Sequence, residues 1–343
     1  MKVKVGLETV VSVVPETVVR AKDQAYLEPT IPDDLRGTFR FPDEVRRLYD
    51  NDAAEILAER AAKKALDKAG LKPSDIDCII ASNSGGKFAI PMVGSYIHHK
   101  LGFSHETPVF NIQEACASFV DGCEVAWNYI LSGKYKRILI VTVAALNTSG
   151  GMGRRDSTDF LLAIASDGGG AAIVSSKNLK CEFLSYYGRT YGEMYDMVGT
   201  TIRSPAHPGL KGAPEQPAES CYTFGKPEFF GFWQRVGERF GIDGIKGALK
   251  KANLTLSDID IVIFHQPADL LYDIWIDGAA KAGLSKDKWK HTWHKYGNPG
   301  PVVIPMNLAE FWEAGELKKN SIMAWITIGA GGHAPAMIVK WLA

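Results

Sequence analysis

The sequence predicts an α/β protein assembled from two similar halves. Short apolar runs alternate with longer amphipathic segments, and Arg137-Ile138-Leu139-Ile140-Val141-Thr142-Val143 is almost uninterruptedly apolar, as a parallel strand covered on both faces must be. Thirty-four glycines suit many tight turns between strands and helices. The chain also repeats itself. Ala65–Leu71 matches Ala248–Leu254, and Ser74–Ile80 matches Ser257–Ile263, at a constant offset of 183 with ten of the fourteen aligned positions identical. A helix–turn–strand unit used twice predicts two α/β halves, residues 1–178 and 179–343, about a pseudo-twofold axis.

Lys2 to Val14 alternates loosely and reads as a strand running into an extended turn at Pro15. Residues 20–45 are polar and carry Pro29, Pro32 and Pro42, which predicts an irregular loop. A helix is expected from about Asn51 to Gly70, with an apolar stripe through Ala54, Leu57, Ala61 and Ala65 and a glycine to stop it. Asp75–Ala81 reads as a buried strand, Pro91–Leu101 as a helix and Pro108–Ile112 as a strand. Cys116–Leu131 is a helix by the spacing of Val120, Cys123, Ala126, Trp127 and Ile130. Ser166-Asp167-Gly168-Gly169-Gly170 is a glycine-rich turn into a strand. It lacks both the GxGxxG spacing and the P-loop lysine, so it reads as dense packing rather than nucleotide binding. From Tyr186 to Tyr222 the rhythm breaks around Pro205, Pro208, Pro214 and Pro217, which predicts a long functional loop or cap. An amphipathic helix resumes from Phe229 to Ala252.

Thirty-nine basic and 39 acidic residues cancel, so no overall field draws nucleic acid or an anionic membrane. No apolar run approaches the ~20 residues of a membrane span. Met1-Lys2-Val3-Lys4-Val5 has no leader-like apolar stretch, and five cysteines stand in no CxxC pair, so a cytoplasmic protein with reduced thiols is expected. No metal site is expected, because His98, His99, His291 and His294 lack a ligand set around them.

The candidate chemistry lies at three places. Cys116 sits among small residues at the mouth of a helix, where N–H groups and the helix dipole favour a thiolate. His265 follows the second copy of the repeated strand, at the sheet edge where α/β proteins bind ligands. Asn298 lies in a glycine- and proline-laden turn and maps onto Cys116 at an offset of 182, so equivalent turns of the two halves each supply one polar group. A thiolate attacks a carbonyl carbon, while a neutral imidazole and a carboxamide stabilise the oxyanion that develops. Glu114, two residues before the cysteine, is a candidate general base. A papain-type hydrolase is disfavoured, because the cysteine is not in a Cys-Gly-Ser-Cys-Trp setting.

Gln113-Glu114-Ala115-Cys116-Ala117-Ser118-Phe119, His265-Gln266-Pro267, Gly297-Asn298 and Ile328-Gly329-Ala330-Gly331-Gly332 occur in the order of the thiolase-fold condensing enzymes. Over about residues 50–343 the sequence most resembles β-ketoacyl-acyl-carrier-protein synthase III. The resemblance implies a thiolase fold, five-layered αβαβα, in a homodimer. Cys116 would carry an acyl group received from an acyl-CoA or an acyl-carrier protein, with no permanently bound cofactor. His265 and Asn298 would stabilise the enolate of a decarboxylating malonyl thioester. Ile90, reaching across the dimer, Arg154 and Arg155, meeting a phosphate-bearing cosubstrate, and Phe264, Gly331 and His333 are the candidate substrate contacts. Leu35–Pro42 stands where the family has an Arg-Thr-Gly-Ile-type stretch, and Pro299-Gly300-Pro301 follows the asparagine, so a specialised biosynthetic pathway is expected. The resemblance leaves open a non-decarboxylating condensation like that of hydroxymethylglutaryl-CoA synthases, acyl transfer to oxygen or nitrogen, and an acyl-binding partner of a sister subunit. A biosynthetic thiolase would need a second cysteine near Gly329–Gly332, and none is there.

Overall fold

The computed structural model describes residues 3–343 apart from 32, 34–35, 51, 89, 147–162, 204–218 and 225–227. The N-terminal elements are β1 (Gly6–Val13), β2 (Val18–Arg20), β3 (Glu44–Arg46), α1 (Ala53–Ala69), β4 (Cys78–Gly85), α2 (Val93–Lys100), β5 (Val109–Asn111), α3 (Ser118–Leu131), β6 (Arg137–Ala145) and β7 (Gly168–Ser175). There follow β8 (Cys181–Tyr187), β9 (Val198–Arg203), β10 (Glu219–Phe224), α4 (Glu228–Ala252), β11 (Ile261–Phe264) and α5 (Asp269–Lys281). The chain closes with β12 (Trp289–Lys290), α6 (Trp293–Tyr296), α7 (Val303–Glu313), β13 (Ile322–Ile326) and β14 (Ala336–Trp341).

Ten strands form one sheet in the order β5-β4-β6-β7-β1-β8-β14-β13-β11-β12. Read inward from either edge the pattern is the same. β4 is parallel to β5 and β6, as β11 is to β12 and β13, and the next pairs, β6–β7 and β13–β14, are antiparallel. The two sets meet where Gly6 and Leu7 pair with Glu182 and Cys181.

Three apolar clusters set the layers. Helix α1 packs Leu57, Ala61 and Ala65 onto Ile79, Val141 and Ile173 on the outer face of the first set. Between the two sets, Phe119 and Val120 of α3 and Ile304 and Leu308 of α7 join Ile140, Val174, Phe183, Trp325 and Trp341. On the far face α4 and α5 bring Phe240, Ile245 and Trp275 against Ile326 and Ile338. The result is the expected αβαβα layering, with Cys116 on the turn between β5 and α3 and His265 directly after β11.

The internal repeat has a physical basis. Gly70 and Asn253, which differ in the alignment, both adopt the left-handed conformation that ends a helix, with φ of 66° and 55°. Asp75 accepts the Lys72 N–H and Asp258 the Thr255 N–H, each at 2.8 Å, closing the same short turn. Asp77 receives the Arg137 N–H at 2.9 Å and Asp260 the Ile322 N–H at 2.8 Å, each tying its strand to the next. The glycine run in β7 is packing, as expected. A Cβ at Gly169 would lie 2.6 Å from the Leu57 carbonyl oxygen of α1, and one at Gly170 would lie 2.5 Å from Pro305 of α7. Gly169→Ala therefore forces two backbones apart. It is expected to destabilise the fold by about 1–3 kcal/mol, read as a lower thermal midpoint with the circular dichroism spectrum retained.

Two expected loops contain more structure than composition predicts. Residues 20–45 hold a run of 3-10 helix, Ala21–Thr30, and end in β3, which pairs with β2. Within 186–222, β9 and β10 form an antiparallel ribbon from Val198↔Phe224 to Arg203↔Glu219. The four prolines that marked that stretch as a loop lie in 204–218, outside the described residues. β9, Val198–Arg203, carries β-branched residues at four of six positions, but strands of six residues on either side of a proline cluster leave no clear period-two signal.

Candidate active site

The candidate nucleophile, Cys116, sits on a strained turn. After β5 the backbone reaches Ala115 with φ of +46°, a left-handed conformation unusual for a residue with a side chain. A 3-10 turn, Ala115–Ala117, then leads into α3. The neighbours hold it there: Ser118 Oγ accepts the Glu114 N–H at 3.0 Å and donates to the Ala115 carbonyl at 2.8 Å. Thr327 Oγ1, at the end of β13, donates to the Cys116 carbonyl at 3.0 Å. Gly329 lies directly under the turn, where a Cβ would come 2.0 Å from the Glu114 carbonyl oxygen.

The expected thiolate is corrected by this setting. Cys116 lies in the 3-10 turn before α3 rather than on its first turn, and burial pushes the thiol up to about 12, opposed only in part by its own N–H. That direction favours the protonated thiol at rest.

His265 extends β11, its N–H bonding to the Ile326 carbonyl at 2.9 Å. Its ring is buried, and Nε2 lies 3.3 Å from Asn298 Oδ1. That oxygen also accepts the Gly300 N–H at 2.9 Å, and Asn298 Nδ2 makes a long contact of 3.4 Å to the Pro267 carbonyl. A carbonyl oxygen only accepts, so Nε2 carries the imidazole proton. Nδ1 is buried with no hydrogen-bond partner. Burial holds His265 down to about 4, with the Asn298 contact opposing, so the ring is neutral and a donor across the physiological range.

Asn298 is fixed by its backbone, which donates to Ile164 at 2.7 Å and accepts from Ser166 at 3.0 Å. Gly300 closes the constellation. A Cβ there would lie 3.9 Å from Cys116 Sγ, while its N–H binds the Asn298 amide that meets His265. Cys116, His265 and Asn298, distant in sequence, thus share one corner of the molecule.

Sequence reasoning missed the support behind this corner. Gln266, fully buried, donates to the Gly297 carbonyl at 2.9 Å and accepts from the Thr292 N–H at 3.0 Å and Asn307 Nδ2 at 2.9 Å. An amide directly after the candidate histidine was the available signal. Asp121 was also missed, although a carboxylate on the buried stripe of α3 five residues after Cys116 needs a partner. That partner is His333, whose Nε2 lies 3.1 Å from Asp121 Oδ1.

The remaining candidates fall differently. Phe264 is corrected: it is fully buried in the core against Tyr272, Trp289 and His291, with no surface for a substrate. The Glu114 side chain is exposed, and the turn uses only its backbone. Ile90 is 88% exposed. Gly331, with φ of +91°, lies in the glycine loop beneath the turn. Arg154 and Arg155 lie outside the described residues. Among the described residues no group of three or more His, Cys, Asp or Glu could hold a metal ion, and no helix is long and apolar enough to cross a membrane.

Two imidazoles carry a consequence for stability. His265 and His291, the latter packed on Phe264 and Tyr272, are both held down to about 4 by burial. An unfolded histidine titrates near ~6.5, so below that pH the unfolded chain binds protons that the native chain does not. Stability is therefore expected to fall as pH drops from ~6.5 through 4, and His291→Gln to flatten part of that slope in denaturant midpoints.

Comparison with known proteins agrees with this geometry. Residues 110–192 match the family model 3-oxoacyl-[acyl-carrier-protein] synthase III, and residues 249–341 match its C-terminal model. The β-ketoacyl-[acyl-carrier-protein] synthase III of Clostridium tetani is 30% identical over 305 residues, covering 87% of each chain. The chain belongs to the β-ketoacyl-acyl-carrier-protein synthase III family. The synthase III of Natranaerobius thermophilus is 28% identical over 96% of both chains. Among solved structures, synthase III of Aquifex aeolicus superposes with a TM-score of 0.80 at 21% identity, over 98% of this chain and all of that one. OleA of Xanthomonas campestris, a cysteine-to-serine variant with lauric acid and lauroyl-CoA bound, gives 0.80 at 18% identity over 99% of this chain and 100% of that one. This synthase III-like chain is an acyltransferase of the thiolase superfamily, and its chemistry is acyl transfer with Claisen condensation.

Proposed function

We propose that Cys116 is the acyl carrier of this condensing enzyme and that His265 and Asn298 stabilise the enolate of the second substrate. The observation that carries the reading is the neutral His265 Nε2–H beside the Asn298 amide, with Gly300 linking that amide to the sulfur. In the first half-reaction Sγ attacks the thioester carbonyl of an acyl-CoA or acyl-carrier protein, the C–S bond of the donor breaks, and the departing thiolate takes the Cys116 proton. The Cys116 and Gly331 N–H groups are the candidate donors to the carbonyl oxygen. In the second, a malonyl-type thioester loses CO2, its enolate oxygen is met by His265 and Asn298, and its carbon attacks the acyl-Cys116 carbonyl. A C–C bond forms, the acyl–sulfur bond breaks, and a solvent proton restores the thiol.

The occurrence of lauroyl-CoA in OleA supports a CoA thioester as donor. The mirrored strand order supports halves at 1–178 and 179–343, with part of 186–222 as the cap. Exposed Ile90 supports a homodimer in which this residue enters the partner's site, and Arg154 and Arg155 are proposed to meet the cosubstrate's phosphates. The departures at Leu35–Pro42 and Pro299–Pro301 support a specialised pathway, and widely spaced cysteines with no CxxC pair support a cytoplasmic setting. Incubation with an acyl-CoA and labelled malonyl-CoA tests the condensation: one CO2 per β-keto product is expected. Product without CO2 release would instead mean proton abstraction, the reaction for which Glu114 is the candidate base.

A further inference from the structure

A second polar cluster lies behind the nucleophile turn, and the reaction above makes no use of it. His333 follows the glycine loop. Its Nε2 meets Asp121 Oδ1 at 3.1 Å and its Nδ1 meets Thr190 Oγ1 at 3.1 Å. The Tyr186 hydroxyl, from β8, donates to the same Asp121 oxygen at 2.8 Å and lies 3.3 Å from Nε2. The other Asp121 oxygen is buried with no hydrogen-bond partner, so this carboxylate depends on the groups at Oδ1.

The cluster joins three segments that bear on Cys116. Asp121 stands in the first turn of α3. The His333 carbonyl accepts the Gly329 N–H at 2.8 Å, and Gly329 is the residue pressed under the Glu114 carbonyl. Gly332 is held from the other side, its carbonyl accepting the Tyr191 N–H at 2.9 Å. The Gly329–Gly332 loop is thus gripped at one end by β13 and at the other by His333. Gly331, between the grips, makes no backbone hydrogen bond to another described residue.

We propose that His333 is a positioning residue: its charged pair with Asp121 clamps the glycine loop against the Cys116 turn, and loss of that charge slows acylation of Cys116. The proposal rests on the acyl-carrier reading of Cys116. Asp121 from α3 and Glu114 from the nucleophile turn face the imidazole with negative charge, and Tyr186 and Thr190 face it with hydroxyls. Lys251 of α4 donates to the Tyr186 carbonyl at 2.9 Å, and Glu124 adds negative charge near Tyr186. The hydrogen bond to Asp121 raises the His333 pKa above the ordinary imidazole range, with partial burial opposing and the Asp121 and Glu114 charges adding. A raised value means that the clamp is complete below ~6.5 and is lost as pH rises through the folded pKa. The catalytic groups do not titrate in that window, since His265 lies near 4 and Cys116 near 12. A neutral-range limb in the acylation rate is therefore the signature of His333.

The test measures the rate of Cys116 acylation by intact-protein mass from pH 5.5 to 9.5, with acetyl-CoA and lauroyl-CoA as probes. The wild type should hold a plateau at low pH and decline above it. His333→Gln, which keeps a neutral hydrogen bond to Asp121, should be flat and about tenfold below the plateau. Asp121→Asn should move the limb toward acid. A wild-type limb retained in His333→Gln, or an unmoved limb in Asp121→Asn, overturns the clamp. An NMR titration of the His333 ring with the Gly331 amide as reporter makes the test independent of turnover. The amide shift should follow the ring in the wild type, and an amide that ignores it overturns the proposal. Absence of wild-type acylation at every pH would instead count against the reading of Cys116.

Discussion

Cys116→Ala is expected to abolish turnover, lowering the rate by at least ~10⁴-fold, because it removes the sulfur proposed to carry the acyl group between the two half-reactions. The turn should survive the change. Its left-handed Ala115, the Ser118 bonds and the Thr327 contact are all made by neighbouring residues or by the Cys116 backbone. Loss of activity with an unchanged thermal midpoint would therefore report chemistry rather than unfolding. Cys116→Ser is the stricter comparison, since a hydroxyl keeps the shape but is far less nucleophilic. It should fall nearly as far in rate while still binding acyl-CoA.

The second large effect separates the two half-reactions. Asn298→Ala is expected to lower condensation by about 10²–10³-fold while acyl-Cys116 still forms. In the proposed mechanism the amide and His265 meet the enolate, whereas acylation calls on the N–H groups on the Cys116 side. Gly300 loses the acceptor for its N–H in this variant, at about 1–3 kcal/mol of stability if water does not replace it. His265→Gln, which keeps a side-chain donor, should be milder in stability but similarly impaired in condensation. Rapid-quench mass spectra should show acyl-enzyme accumulating in both variants. Its failure to form in either would move these residues into the first half-reaction.

Much of the scaffold was legible because the same residues do the same work twice. Asp75 and Asp258 close one turn each, Asp77 and Asp260 each hold a neighbouring strand, and the Gly70/Asn253 mismatch hides a shared backbone conformation. An offset of 182, one short of the repeat's, links Cys116 to Asn298; in the structure Cys116 stands on the short turn before α3, and Asn298 lies two residues ahead of the short turn before α7. What stayed hidden depends on burial and on distant pairing. Burial pushes the Cys116 thiol upward, against the favourable helix mouth that motif reading suggests. Phe264 looked available because it precedes His265, yet strand alternation turns its ring into the aromatic core. The Asp121–His333 pair spans 212 residues and crosses the two halves, so no local spacing announces it.

The most direct measurement is peptide-resolved mass spectrometry of the wild type after exposure to an acyl-CoA, repeated after a malonyl thioester is added. One acyl adduct is expected, confined to the peptide containing Cys116, absent in Cys116→Ala, and discharged as a β-keto product on the second addition. An adduct that persists in Cys116→Ala, or one that malonyl thioester leaves untouched, would contradict the proposed role of Cys116.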